Sequence, residues 1–207
     1  VLDDMNGSPH TQLADMVDML HDRRGQNTDI AIVIEFCPGE FELPYETNWE
    51  IPETKGNIYI YGNGVKIKGD KEHDTLLNIA GCRLHDIIVE NADEYGLGIY
   101  ADNSTLTNCI GSGGDDGIFA MNSTLTNCNG FGDNYGYGIY AESSTLSNCS
   151  GSSNNDYGIY ASGSCVIQGC DGTEGGISVP EGFVGTYPNT LALLQAFNKG
   201  SIIERQA

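Results

Sequence analysis

The chain has 207 residues, with 9 Lys+Arg against 29 Asp+Glu and a formal charge of −20. That length suits one domain with a buried core, and the acidic field repels nucleic-acid phosphates and anionic membranes while attracting cations. No apolar run approaches the roughly 20 residues of a bilayer span, so no membrane insertion is expected. The charge reads first as a solubilising surface. Divalent-cation binding and mimicry of nucleic acid before a basic partner are the sharper alternatives.

In chain order, Ser8-Pro9 is a helix start, and Leu13, Met16, Val17 and Leu20 follow at helical spacing as one apolar face. This predicts an N-terminal capping helix over 9–24. "IAIVIEFCPGEFEL" (30–43) and "NIYIYGNGVKIKG" (57–69) predict buried strands broken by Pro-Gly or Asn-Gly turns. "TLLNIAGCRLHDIIVEN" (75–91) predicts a coil with Leu77, Ile79, Leu84 and Ile87 inward.

The chain then repeats itself. "GIYADNSTLTNC" (98–109) returns as "GIFAMNSTLTNC" (117–128), "GIYAESSTLSNC" (138–149) and, eroded, "GIYASGSCVIQGC" (158–170), with starts 19, 21 and 20 residues apart. Such a period marks a solenoid, whose units bury their apolar faces only by stacking. Within a unit the apolar residues alternate, a strand period, with Asn and Gly as turn residues able to take positive φ. The repeats resemble those of the right-handed parallel β-helix of the pectate-lyase-like superfamily. The resemblance implies an all-β, single-domain fold over 1–207 with coils over 30–180, and a superfamily of lyases, hydrolases, adhesins and inert shafts. Asn189-Thr190 and Leu191, Leu194, Phe197 and Gly200 predict a short C-terminal helix over 189–199.

Alternation assigns the rows. Leu106, Leu125, Leu146 and Val166 should point inward, with Cys109, Cys128 and Cys149 stacked behind them as small buried hydrophobes. Seven Cys without CxxC spacing favour free buried thiols, Cys165 and Cys170 being the best candidate pair. Asn108, Asn127, Asn148 and Gln168 should form a buried amide ladder, as in the superfamily, making the sequon at Asn148 accidental. Of the other sequons, those at Asn103 and Asn122 lie in the repeats and that at Asn6 in the N-terminal segment. The Thr105/Thr107, Thr124/Thr126 and Thr145/Ser147 rows are an ordinary strand surface, flanked by Arg83/His85 and Cys165/Ile167. Tyr100, Phe119, Tyr140 and Tyr160 should form an outward column of rings, a candidate ligand-binding face for glycan or another protein chain.

The loops before each repeat, "NADEYGL" (91–97), "GSGGDD" (111–116), "GFGDNYGY" (130–137) and "GSSNNDY" (151–157), are acidic and glycine-rich. Stacking lines up Asp93, Glu94, Asp115, Asp116, Asp133 and Asp156 on one edge, as hard-oxygen ligands that suit calcium or as the carboxyl pair of a glycosidase. "GGDDGI" resembles the Gly-Asp-Asp element of the polygalacturonases, which implies Asp115 and Asp116 as catalytic carboxylates. The family's Asn-Thr-Asp, His-Gly and Arg-Ile-Lys elements are missing, and no Lys or Arg occurs from 84 to 198 to hold a uronate. The leading expectation is a non-catalytic module needing no cofactor and admitting calcium. It would be displayed outside a cell or on a particle surface, binding glycan or protein through the aromatic row and acidic edge. A polysaccharide hydrolase or lyase and a structural subunit of a larger assembly are the alternatives.

Overall fold

The computed structural model describes residues 9–25, 27, 29–43, 49–51, 56–69, 74–133, 135–173 and 176–179. The helix expected over 189–199 and the sequon at Asn6 lie outside them. A helix at Pro9–Arg24 precedes parallel strands that stack as a β-solenoid of about five turns. Val17 is buried against the first turns and Leu20 packs beside it. Gly25 takes φ +64° and its N–H closes on His21 O at 2.9 Å, a left-handed helix stop. Arg24 then donates to Ile30 O and Gly56 O, fastening the cap to the first turn.

Among the described residues, the strands form a twelve-stranded and a seven-stranded sheet, parallel throughout their pairings. Each repeat supplies one strand to the smaller sheet, such as Ile118–Met121, and two to the larger, such as Thr124–Thr126 and Asn129–Gly132. Those two are one strand bent in the middle, because the ten-residue Cys82–Asn91 pairs with both of their counterparts in the next turn. Two columns of left-handed residues make the corners. One runs through Gly81, Asn103, Asn122, Ser143 and Gly163; the other runs through Asp86, Asn108, Asn127, Asn148 and Gly169. Positive φ penalises most side chains, and Asn, Asp and Gly tolerate it best. Repeated Asn thus fixes where each turn bends and which residues face inward.

The inward columns are continuous. Ile34, Ile60, Leu84, Leu106, Leu125, Leu146 and Ile167 pair in succession, as do Leu77, Ile99, Ile118, Ile139, Ile159 and Ile177, and all are buried. Burying one such side chain stabilises by about 1.5–3 kcal/mol. The expected inward set Leu77, Ile79, Leu84 and Ile87 holds.

The last repeat corrects two expectations. Its corner carries one more residue, so Ile167, not Val166, continues the leucine column, and Val166 is 57% exposed. Gln168 pairs with Ser147, leaving Gly169 at the bend, and the threonine strip continues as Val166 and Gln168 rather than Cys165 and Ile167. The asparagine ladder is corrected too. Asn108, Asn127 and Asn148 are exposed, because a left-handed corner turns its side chain out of the coil. Asn127 Nδ2 does donate to Asn108 Oδ1 at 3.2 Å and Asn108 Nδ2 to Asp86 Oδ1 at 2.9 Å, so the ladder exists on the surface.

The buried polar ladder is made of serine. Ser104, Ser123 and Ser144 sit inside the other corner, where the N–H of Ser104 donates to Ser123 Oγ and that of Ser123 to Ser144 Oγ, both at 3.0 Å. Each hydroxyl donates to the carbonyl two residues back, and Cys165 ends the column by accepting from Ser144 N–H. Cys109, Cys128, Cys149 and Cys170 line the second corner as free thiols, and Cys165 and Cys170 are also unpaired. Hydrogen bonding to neighbouring sulfurs, with burial, pushes the Cys128 and Cys170 thiols far up.

Candidate functional site

The aromatic column forms as the alternation requires. Tyr100, Phe119, Tyr140 and Tyr160 pair in register between buried Ile and Ala, so all four point outward and are half-buried. Phe119 and Tyr140 stack at 4.5 Å and 4° and Tyr100 and Phe119 at 5.2 Å and 19°, while Tyr140 and Tyr160 lie 5.2 Å apart, tilted by 38°. Tyr137 and Tyr157, from the loops just upstream, extend the cluster, with Tyr137 4.7 Å from the Tyr160 ring. Burial and the nearby Asp156 push the Tyr137 phenol up to about 12. Stacking covers the inner ring faces of the column with other rings, while Tyr100 at its end has Asn78 as its other neighbour. The column therefore presents edges and hydroxyls outward, whereas a sugar stacks on an open face.

The acidic edge divides into carboxylates with different roles. Asp116 is buried, and its Oδ1 accepts the N–H of Tyr137 from the next turn at 2.7 Å. Burial pushes its carboxyl up to about 7, with Asp115 and Asp156 adding repulsion. Asp115 is raised by burial as well. Asp116 thus joins two turns from inside the edge, a poor position for meeting a substrate. Glu94 and Asp133 are exposed and Asp93 and Asp156 half-exposed. Asp93 Oδ1 accepts Tyr95 N–H, Asp156 Oδ1 accepts Tyr157 N–H, and Asp133 Oδ1 accepts Asn154 Nδ2. Among the described residues, no three His, Cys, Asp or Glu side chains gather as a metal ion would need.

The stretches read as loops are partly strand: Ile110–Gly113, Asn129–Gly132 and Ser150–Ser153 all pair in the larger sheet. Their glycines face inward and let the opposite backbone approach. A Cβ on Gly130 would lie 1.9 Å from Gly138 O, and one on Gly151 2.0 Å from Gly158 O. The acidic loops are therefore shorter than the sequence suggested.

Two aromatic features at this edge escaped the sequence reading. Tyr95 and Tyr135 are 64% and 73% exposed, yet their rings stack at 6.3 Å and 4° across the intervening turn. Glu94 beside Tyr95 is the main cause of that phenol's raised pKa. Phe131 stands outward from its strand, 46% exposed, with Ser112 and Ser152 as its register neighbours. It lies in a trough of about 330 Å³ walled by Asp93, Glu94, Asp133 and Asn154. The available signal was the alternation of "NGFG", in which glycines flank a phenylalanine that must then face outward.

Compared with known protein families, with curated proteins and with solved structures, the chain matches none.

Proposed function

We propose that the chain is a non-catalytic binding module built on a parallel β-helix like that of the pectate-lyase-like superfamily, and that its ligand is another protein. Its contact surface is the acidic edge with the rings that rise from it. The observation that carries this reading is the Tyr95–Tyr135 pair, exposed and stacked on a carboxylate-rich rim. Exposed tyrosines are costly in water and suit protein interfaces, where ring and hydroxyl both find partners. Glycan is the weaker ligand because the inner ring faces of the long column are covered. Catalysis by Asp115 and Asp116 is weaker still, since Asp116 is shielded and bonded to the next turn. Seven unpaired thiols favour folding in a reducing compartment, so display on a surface would follow folding.

Retention on immobilised cationic proteins, run beside a neutral glycan array with and without calcium, tests the proposal. Retention on protein that Tyr95→Ala with Tyr135→Ala removes, at unchanged melting temperature, is the expected result. Glycan binding, or retention indifferent to both tyrosines, overturns it.

A further inference from the structure

We infer that the trough around Phe131 is a docking groove for an extended, Lys- or Arg-bearing segment of a partner protein, with a cationic side chain seated on the Phe131 ring. The inference rests on the protein-binding reading above and assigns the partner's chemistry at this edge.

The floor of the trough is the outward row of the larger sheet. Lys68, Glu90, Ser112, Phe131 and Ser152 follow one another in register, one turn apart. Four steps of ~4.8 Å make a run of about 19 Å, room for about six residues of extended chain. The floor residues Ser112 and Phe131 line both the 330 Å³ stretch and a second hollow toward Lys68 and Glu90, so the two adjoin. Every strand of this floor is paired on both sides along that run, so no backbone edge is offered. Recognition there must come from side chains.

Three features specify charge. Phe131 differs from the long aromatic column: its register neighbours are serines, and no ring among the described residues stacks on it. Its faces are open. Asp93, Glu94 and Asp133 form the wall, and none is paired with a Lys or Arg among the described residues. Among the described residues, the two lysines at the far end are already bridged: Lys66 to Glu90 at 2.6 Å and Lys68 to Glu40 at 2.5 Å. An open aromatic face beside carboxylates binds guanidinium or ammonium through cation–π and ion-pair attraction together. An anionic segment is repelled by the same wall, and a purely apolar one would strand the carboxylates and Asn154.

The test is fluorescence anisotropy of a labelled arginine-rich hexapeptide with the full chain, at two salt concentrations. Phe131→Leu keeps the apolar bulk and removes the ring; it should weaken binding roughly three- to fivefold, as loss of one exposed cation–π contact does. Phe131→Trp should retain it. Asp93→Asn with Asp133→Asn should weaken binding about tenfold or more, while Glu35→Gln with Glu50→Gln, the same charge change away from the trough, should alter it less than about twofold. Equal losses from both charge pairs would show only diffuse attraction to an acidic chain and overturn the inference. So would a Phe131→Leu protein that binds as the parent does, or displacement of the peptide by a neutral oligosaccharide. Tyr95→Ala with Tyr135→Ala, measured in parallel, separates the two ideas: loss there with indifference at Phe131 sinks the groove and spares the binding module.

Discussion

The turns before and after residue 97 solve the same packing problem with different chemistry. Upstream, Val65 and Ile87 fill the bend and Ile67 and Val89 the wall beyond it, all large and buried. Downstream those positions become Cys109, Cys128 and Cys149, then Gly111, Gly130 and Gly151, and the opposite backbone closes in. Upstream stability comes from apolar volume. Downstream the Leu, Ile and Ala columns persist, but at the bend and wall a serine ladder and backbone packed almost on backbone replace the apolar bulk. The difference explains why the repeats look polar and loop-like yet form regular strands.

Exchanging the two solutions gives the largest expected effect. Gly130→Val imports the upstream residue type where even a Cβ meets Gly138 O, and the obstacle is backbone that cannot swing aside. No cooperative unfolding transition by circular dichroism is expected. The reciprocal Val89→Gly leaves a cavity and should cost about 2–4 kcal/mol in urea denaturation while keeping the fold. If Gly130→Val folds with a similar loss, the backbone contact is not what shapes the downstream turns.

A smaller loss should follow from Ser144→Ala. It removes the acceptor of Ser123 N–H and leaves that buried donor unpaired, a cost of about 1–3 kcal/mol. Ser144→Cys, copying Cys165 in the next turn, should recover part of it. Alanine and cysteine variants of equal stability would count against the serine ladder.

Asp116 gives a pH-dependent effect. Its folded pKa of about 7 stands above the usual carboxylate value, so between roughly pH 4 and 7 the native state keeps a proton that the unfolded chain releases. Its contribution to stability is complete below about pH 4 and is lost as pH rises toward 7. Asp116→Asn should raise the melting temperature at pH 8 and flatten its slope between pH 4 and 7. An unchanged slope would place the titration elsewhere. The smallest effect is expected at Ser143, the one serine in a left-handed corner otherwise made of Asn and Gly. Ser143→Asn should stabilise by about 0.5–1 kcal/mol, seen as a melting temperature raised by a few degrees. A fall instead would mean that the Ser143 side chain matters more than its backbone.

Much of this was legible in the letters. Four copies of one pattern gave the solenoid, alternation gave the outward ring column, and the helix at 9–24 followed from its start signal and apolar spacing. Asn108 reads as buried in the sequence because a polar residue repeated beside a core position suggests a buried network, whereas φ near +54° turns it outward and leaves the network to Ser104, Ser123 and Ser144. The glycine-rich stretches looked like loops because a glycine has no side chain to show which way it faces. Phe131 was hidden for the same reason.

The sequence by itself determined the repeat, the strand period and the corners, because these follow from local backbone preference and from apolar alternation within a dozen residues. Only the tertiary structure decided which carboxylate is buried, which rings cover one another and which ring stays open. Asp116 and Asp115 are neighbours in sequence with different burial, and Phe119 and Phe131 are the same side chain with different company. Burial and exposure at these sites depend on what the adjacent turn places at the matching rung, tyrosine beside Phe119 and serine beside Phe131. The turn lengths of 19, 21 and 20 residues are countable in the sequence, but which side chains meet across a rung depends on where within each turn the corners and loops fall.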